Sequence, residues 1–136
     1  MLMLQVQIPK SKQYSDGEVI SAHRQFARKL RLSQWKPVRE VKFPGFDGWK
    51  GTVAYDLDWG EGWTRESILK ALFYKVVLRK PLTELRYYVL QNPPGVPANR
   101  LYRNEKLEAE MLEPILREHD IRIEVKPVRR IISGKR

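Results

Sequence analysis

Cysteine is absent from the 136 residues, which excludes disulfides, thiolate zinc sites and cysteine nucleophiles. Histidine is nearly absent. His23 and His119 are the only two, too few for a His-rich metal cluster, and a Ser-His-Asp triad is not expected. No run of eighteen apolar residues occurs, so no membrane-spanning helix is expected. The opening MLMLQVQIPK lacks a basic stretch and a small-residue cleavage site, so no export signal is expected, and the chain reads as cytoplasmic. Phosphate-loop patterns are missing as well. Gly45, Gly48, Gly51, Gly60 and Gly62 fit neither G-x-x-x-x-G-K-[ST] nor G-x-G-x-x-G.

Acid is scarce relative to base: 16 Asp and Glu stand against 26 Lys and Arg, a formal net charge of +10. The excess is blocky. Residues 24–42 hold Arg24, Arg28, Lys29, Arg31, Lys36, Arg39 and Lys42 against Glu40 alone, and residues 121–136 are basic again. Separate basic blocks are the electrostatic footprint of a phosphate-backbone binder, so nucleic acid is the expected partner, DNA ahead of RNA. Solubility, or an acidic protein partner, would also account for the charge. Many Lys, Arg and Glu without cysteine suit a thermophile.

The length allows one domain with one core. LQVQI alternates and reads as a strand ended by Pro9. SDGE at 15–18 fits a capping box, with Ser15 at the N-cap and Glu18 reaching back. Val19, His23, Phe26, Ala27 and Leu30 then follow at helical spacing. VREVKF and GTVAYDLDW alternate as two strands. Thr64 is a candidate N-cap for RESILKALFYKVVLRK, a helix apolar on most sides and stopped by Pro81. ELRYYVLQ is a strand and NPPGVPANR a loop. NEKLEAEMLEPILREHD is a helix with Leu107, Met111, Leu112 and Ile115 on one face and a break or kink at Pro114. IRIEVKPV is a last strand, followed by a basic end, so that residues 127–136 read as a basic tail. The expected fold class is α/β, a mixed sheet flanked by helices in the order β-α-β-β-α-β-α-β.

Against this basic background, FDGWKGTVAYDLDWGEGW at 46–63 concentrates three aspartates, Glu61 and three tryptophans. Alternation along a strand puts Asp56 and Asp58 on one face and Tyr55, Leu57 and Trp59 on the other. Two carboxylates so placed can hold Mg²⁺, and Asp47 is the natural third. Register decides between two arrangements. A turn at Asp47-Gly48, a strong hairpin signal, sets Asp56 opposite Arg39 and Asp58 opposite Pro37. A reversal near Lys50-Gly51 sets Asp47 opposite Asp56.

The element order over about residues 15 to 126, with Asp47 followed by Asp56-Leu57-Asp58, resembles the PD-(D/E)XK, or restriction-endonuclease-like, nucleases. That resemblance implies a Mg²⁺-dependent endonuclease with metal on Asp47 and Asp56 and with Asp58 at the position of the usual lysine. It also lets Glu18 stand for an acid that the first helix sometimes donates. Cutting both strands implies a homodimer, on which the sequence is silent. The Asp pair ahead of a helix is similar to one type of Holliday-junction resolvase as well, although the later acidic residues of that type do not appear at the expected places.

Lys42, Lys50 and Arg39 are candidates to meet phosphates, with Arg129 and Arg130 in the basic end. Trp49 and Trp63 are candidates to stack on bases, and Trp59 is expected in the core. Glu40-Val41-Lys42 is a literal E-x-K, but no acidic residue precedes it on a paired strand, so it reads as part of a sheet surface. Besides the nuclease, two further functions suit the sequence: a noncatalytic nucleic-acid-binding subunit of a ribonucleoprotein, transcription or viral assembly, and a scaffold whose charge serves packing around nucleic acid.

Overall fold

The computed structural model describes residues 4–9, 16–33, 45–58, 64–90 and 100–133. Strand β1 is Leu4–Pro9, helix α1 Asp16–Lys29, strand β2 Gly48–Lys50 and strand β3 Val53–Asp58. Helix α2 is Thr64–Leu72, running into a π-helical turn at Phe73–Val77. Strand β4 is Glu84–Leu90, helix α3 Arg100–Arg117 and strand β5 Arg122–Ser133. The expected α/β order therefore holds. The stretch 38–43, read as a strand, lies outside the described residues, as do Ser15, Trp35, Trp59, Trp63, Lys36, Arg39, Glu40, Lys42 and the 92–99 loop. The Glu18 side chain is not described.

The five strands lie in the order β1-β5-β4-β3-β2, all parallel except the β2–β3 pair. Parallel sheets are covered on both faces, and β3 and β4 show it: every residue from Ala54 to Asp58 and from Tyr87 to Leu90 is buried. On one face Ala22 and Phe26 of α1 pack over Val6, Tyr55, Leu57, Tyr88, Leu90 and Val128. On the other, Ile68, Ala71 and Tyr74 meet Leu116, Ala54, Leu82, Leu85 and Ile121. No helix among the described residues is long and apolar enough to cross a membrane.

Four local readings change. The basic segment after Pro127 continues in β5 as far as Ser133, paired parallel with β1. Helix α3 runs unbroken through Pro114. Its sheet side is formed by Glu105, Ala109, Leu112 and Leu116, so that of the expected face Leu112 packs on the core, whereas Leu107, Met111 and Ile115 are exposed, Met111 by 80%. The second helix is likewise less enclosed than its composition suggests, with Leu69, Val76 and Val77 exposed. Edge strand β1 is covered by side chains of α1. The Gln25 amide both accepts from Gln7 N–H and donates to Gln7 C=O, and Lys29 Nζ donates to Gln5 C=O at 2.6 Å. Such pairing blunts a sheet edge that would otherwise template aggregation.

Candidate functional site

The β2–β3 hairpin decides the register. Gly48 pairs with Tyr55, Trp49 with Ala54 and Lys50 with Val53, which puts the reversal at Gly51-Thr52 and Asp47 opposite Asp56. Gly51 takes φ +62°, the left-handed conformation that a two-residue hairpin loop needs and glycine adopts freely. Gly48 serves a different purpose. A Cβ there would sit 2.5 Å from Leu32 Cβ and 3.1 Å from the Ser33 carbonyl. Its missing side chain lets the segment after α1 close onto β2, where Ser33 and Trp49 exchange both backbone hydrogen bonds. The arrangement with Asp56 opposite Arg39 is thereby replaced.

The two carboxylates are locked together through the backbone. Asp47 N–H donates to Asp56 Oδ1 at 3.1 Å, and Leu57 N–H donates to Asp47 Oδ2 at 2.6 Å. Helix α2 supplies the rest. Ser67 Oγ donates to Asp56 Oδ2 at 2.7 Å, and Lys70 Nζ lies 2.6 Å from the same oxygen. Lys70 is further fixed by the Gly45 carbonyl at 3.1 Å and by the Phe46 ring at 4.9 Å. His23 Nε2 of α1 stands 3.8 Å from Asp47 Oδ1. Asp56 is buried and Asp47 partly open, so the pair has one side toward solvent.

The electrostatics follow from this burial. Desolvation first, and then the Asp56 charge, push the Asp47 carboxyl up to about 6, against the opposing pull of His23, the Leu57 N–H and Lys70. Desolvation and the same Asp56 charge push the Tyr74 hydroxyl up to about 12. Among the described residues, Lys70 and His23 are the basic groups beside the two carboxylates. Mg²⁺ is usually held by one or two carboxylates, with waters and substrate phosphates completing its octahedron, and the Asp47–Asp56 donor set fits that pattern.

Asp58 does not join this pair. It lies at the end of β3, 1% exposed, beside Tyr87 and Glu105. The three-carboxylate set expected from the sequence is thus a pair, and among the described residues no group of three or more His, Cys, Asp or Glu is placed to hold a metal. Thr64 is the first residue of α2, and its buried side chain lies against Tyr87. Trp49 packs edge-on against Phe46 and Tyr74 at ring separations of 5.5 and 6.3 Å, and so belongs to the core beneath the site.

Of the basic candidates, Arg24, Arg28, Arg31, Lys50 and Arg129 are exposed, and Lys29 is tied to Gln5. Arg130 lies in β5 opposite Val6. Arg31, at φ 55°, ends α1 two residues before Ser33, which bridges to Trp49, so the basic end of α1 adjoins the edge that carries Asp47. Lys70, Ser67 and His23 were not singled out from the sequence as members of a site. The available signal was polar residues Thr64, Ser67 and Lys70 at i, i+3 and i+6, on the face of α2 that also carries Ile68 and Ala71 into the core.

In comparisons with known proteins, no protein-family model, no curated protein and no solved structure matches this chain.

Proposed function

We propose that this protein binds nucleic acid and hydrolyses its phosphodiester bonds with Mg²⁺ held by Asp47 and Asp56. The observation that carries the reading is the β2–β3 register, which brings these two carboxylates side by side with Lys70 against Asp56. A bound Mg²⁺ would lower the pKa of a coordinated water and neutralise charge building on the phosphate. The protein's own groups have separable roles. Asp47 and Asp56 bind the ion. Lys70 and Ser67 fix the Asp56 carboxylate, and Lys70 is close enough to meet a phosphate oxygen brought to the pair. Arg24, Arg28 and Arg31 on α1 and Lys50 on β2 draw in the phosphate backbone. DNA is the first substrate to test, and cutting both strands would require two copies of the chain.

A noncatalytic binder is the second reading, favoured by one observation. Lys70 and Ser67 already satisfy Asp56, so the pair can stand as a structural ion-pair network. The deciding experiment incubates the protein with plasmid DNA, branched DNA and RNA, in Mg²⁺ or Mn²⁺ and then in EDTA, beside Asp47→Asn and Asp56→Asn. Cleavage that needs metal and is lost in both variants supports the phosphodiesterase. Tight, salt-sensitive binding without cleavage contradicts it and leaves the binder.

A further inference from the structure

The outward side of the α2–α3 layer carries apolar side chains that nothing among the described residues covers. Leu107, Met111 and Ile115 follow one another at i, i+4 and i+8 along α3, and Leu69 stands on α2; each is exposed by 45% or more. Helix α2 joins β3 to β4, and α3 joins β4 to β5. These strands are parallel, so both helices run against them and lie side by side in one sense. The Arg65–Glu108 ion pair, at 2.6 Å, fixes their register. Leu69 is one turn beyond Arg65 and Leu112 one turn beyond Glu108, which sets Leu69 beside the row on α3. Single exposed apolar side chains are ordinary. A contiguous set rimmed by charge marks a docking surface.

The charges around this row indicate its occupant. With a net charge of +10, the chain as a whole repels a second copy of itself. The outward sides of these two helices are an exception. Arg65 is taken up by Glu108 and Arg117 by Glu113, and of the other exposed charges Arg103 and Lys106 stand against Glu66, Glu110 and Glu118. Base is instead prominent on α1, which packs on the opposite face of the sheet. The charges are also ordered along α3. Its first turn holds no acid, Arg103 and Lys106 lie in its first half, and Glu118 and Asp120 follow its last turn. This order opposes the helix macrodipole, which favours acid at the start and base at the end. It becomes self-complementary when two copies of the helix lie antiparallel, because each basic start then meets an acidic end.

We propose that two copies of the chain pair through this face, α3 against α3 in antiparallel sense about a two-fold axis near Met111. In such a contact the same patch serves both copies. Met111 meets its own counterpart, and Leu107 meets Ile115 of the second copy. Arg103, two turns before Met111, meets Glu118, two turns after it. Leu69 widens the apolar area to one side. Pairing here leaves α1 of both copies free, on the far face of each sheet. The row is short, so the dissociation constant is expected at about 10–100 µM, the weak end for specific contacts. The inference rests on neither cleavage nor a bound metal.

Sedimentation equilibrium of the full chain, without metal or nucleic acid, tests it over about 5–500 µM, a range that brackets this constant. The expected result is monomer at the low end and dimer at the high end. Met111→Lys sets two ammonium groups together at the axis and should weaken pairing by more than about tenfold. At about 5 µM, where the chain is monomeric, the same variant leaves unfolding unchanged. Arg103→Glu and Glu118→Arg each put like charges at both ends of the contact and should weaken pairing on the order of tenfold. An equimolar mixture of these two variants should pair as tightly as the native chain, because opposite charges then meet at both ends. Both side chains are exposed, and circular dichroism confirms that each variant folds. A chain that stays monomeric throughout overturns the proposal and leaves the face to a different protein. Pairing that Met111→Lys leaves unchanged overturns it too, as does a mixture no tighter than its two components.

Discussion

Replacing Asp47 by Asn should make the protein more stable, and only where the native carboxyl is ionised. The ordinary value of such a carboxyl is 3.8, taken for the unfolded chain, whereas burial and the neighbouring Asp56 charge raise it to about 6 in the fold. A raised acid is neutral in the folded state at low pH, and its stabilising contribution is complete below the unfolded value. The contribution is lost as pH climbs from about 4 up through about 6, because folding must then carry a charge that burial disfavours. The gap is about 2 pH units, and at about 1.4 kcal/mol per unit the full penalty is about 3 kcal/mol. Asparagine is neutral at every pH and keeps an oxygen to accept the Leu57 N–H. Urea unfolding followed by circular dichroism should therefore show the variant about 3 kcal/mol more stable than the native protein at pH 8, a rise in Tm on the order of 10 °C, and within about 1 kcal/mol at pH 4. A variant that is destabilised at pH 8, or that gains equally at both values, would refute the reasoning. A stability gain joined to a loss of metal-dependent cleavage is the pattern expected when a site is kept for function at the expense of the fold.

Three further outcomes follow from the geometry. Lys70→Met strands the buried Asp56 carboxylate without its ammonium and should cost about 3–5 kcal/mol in urea unfolding at pH 7, partly recovered by millimolar Mg²⁺. Gly48→Ala drives a methyl into Leu32 and the Ser33 carbonyl and should cost about 1–3 kcal/mol while weakening the Ser33–Trp49 amide protection seen by hydrogen exchange. Leu116→Ala should cost about 2–5 kcal/mol, because Leu116 is fully buried on the sheet side of α3, whereas Met111→Lys on the exposed side of the same helix should stay within about 0.5 kcal/mol.

The sheet was legible because its central strands announce themselves. Val53–Asp58 alternates and Glu84–Leu90 carries Tyr87, Tyr88 and Val89, and both are short and bounded by turn formers. The hairpin register was not, because two glycines compete for the turn. Gly48 follows an aspartate and so carries the stronger turn signal, but it is a glycine for lack of room against Leu32, a long-range contact with no local signature. Gly51 carries the turn. Helix α3 misled for a related reason. Leu107, Met111 and Ile115 form a good apolar row, but of the expected face only Leu112 packs inward, and the row that faces the sheet begins with a buried acid, Glu105, and continues through Ala109, Leu112 and Leu116. Hydrophobic spacing alone points to the wrong side when the inward face includes a charge. The site shows the same limit. Asp47 and Asp56 were visible as a pair once one register was chosen, whereas Lys70 and Ser67 reach them from a helix that only the packing of α2 on β3 brings near.

Paramagnetic broadening by Mn²⁺ at the hairpin tests the Asp47–Asp56 site most directly. The backbone amides of Asp47 and Leu57 hold the two carboxylates in place and would lie within a few ångströms of an ion bound between them. The expected result is strong broadening of both amides at micromolar to millimolar Mn²⁺, reversed by Mg²⁺ and abolished in Asp56→Asn. Sharp signals at both positions throughout the titration would mean that these neighbouring oxygens never share a cation, and the phosphodiesterase reading would fall with them.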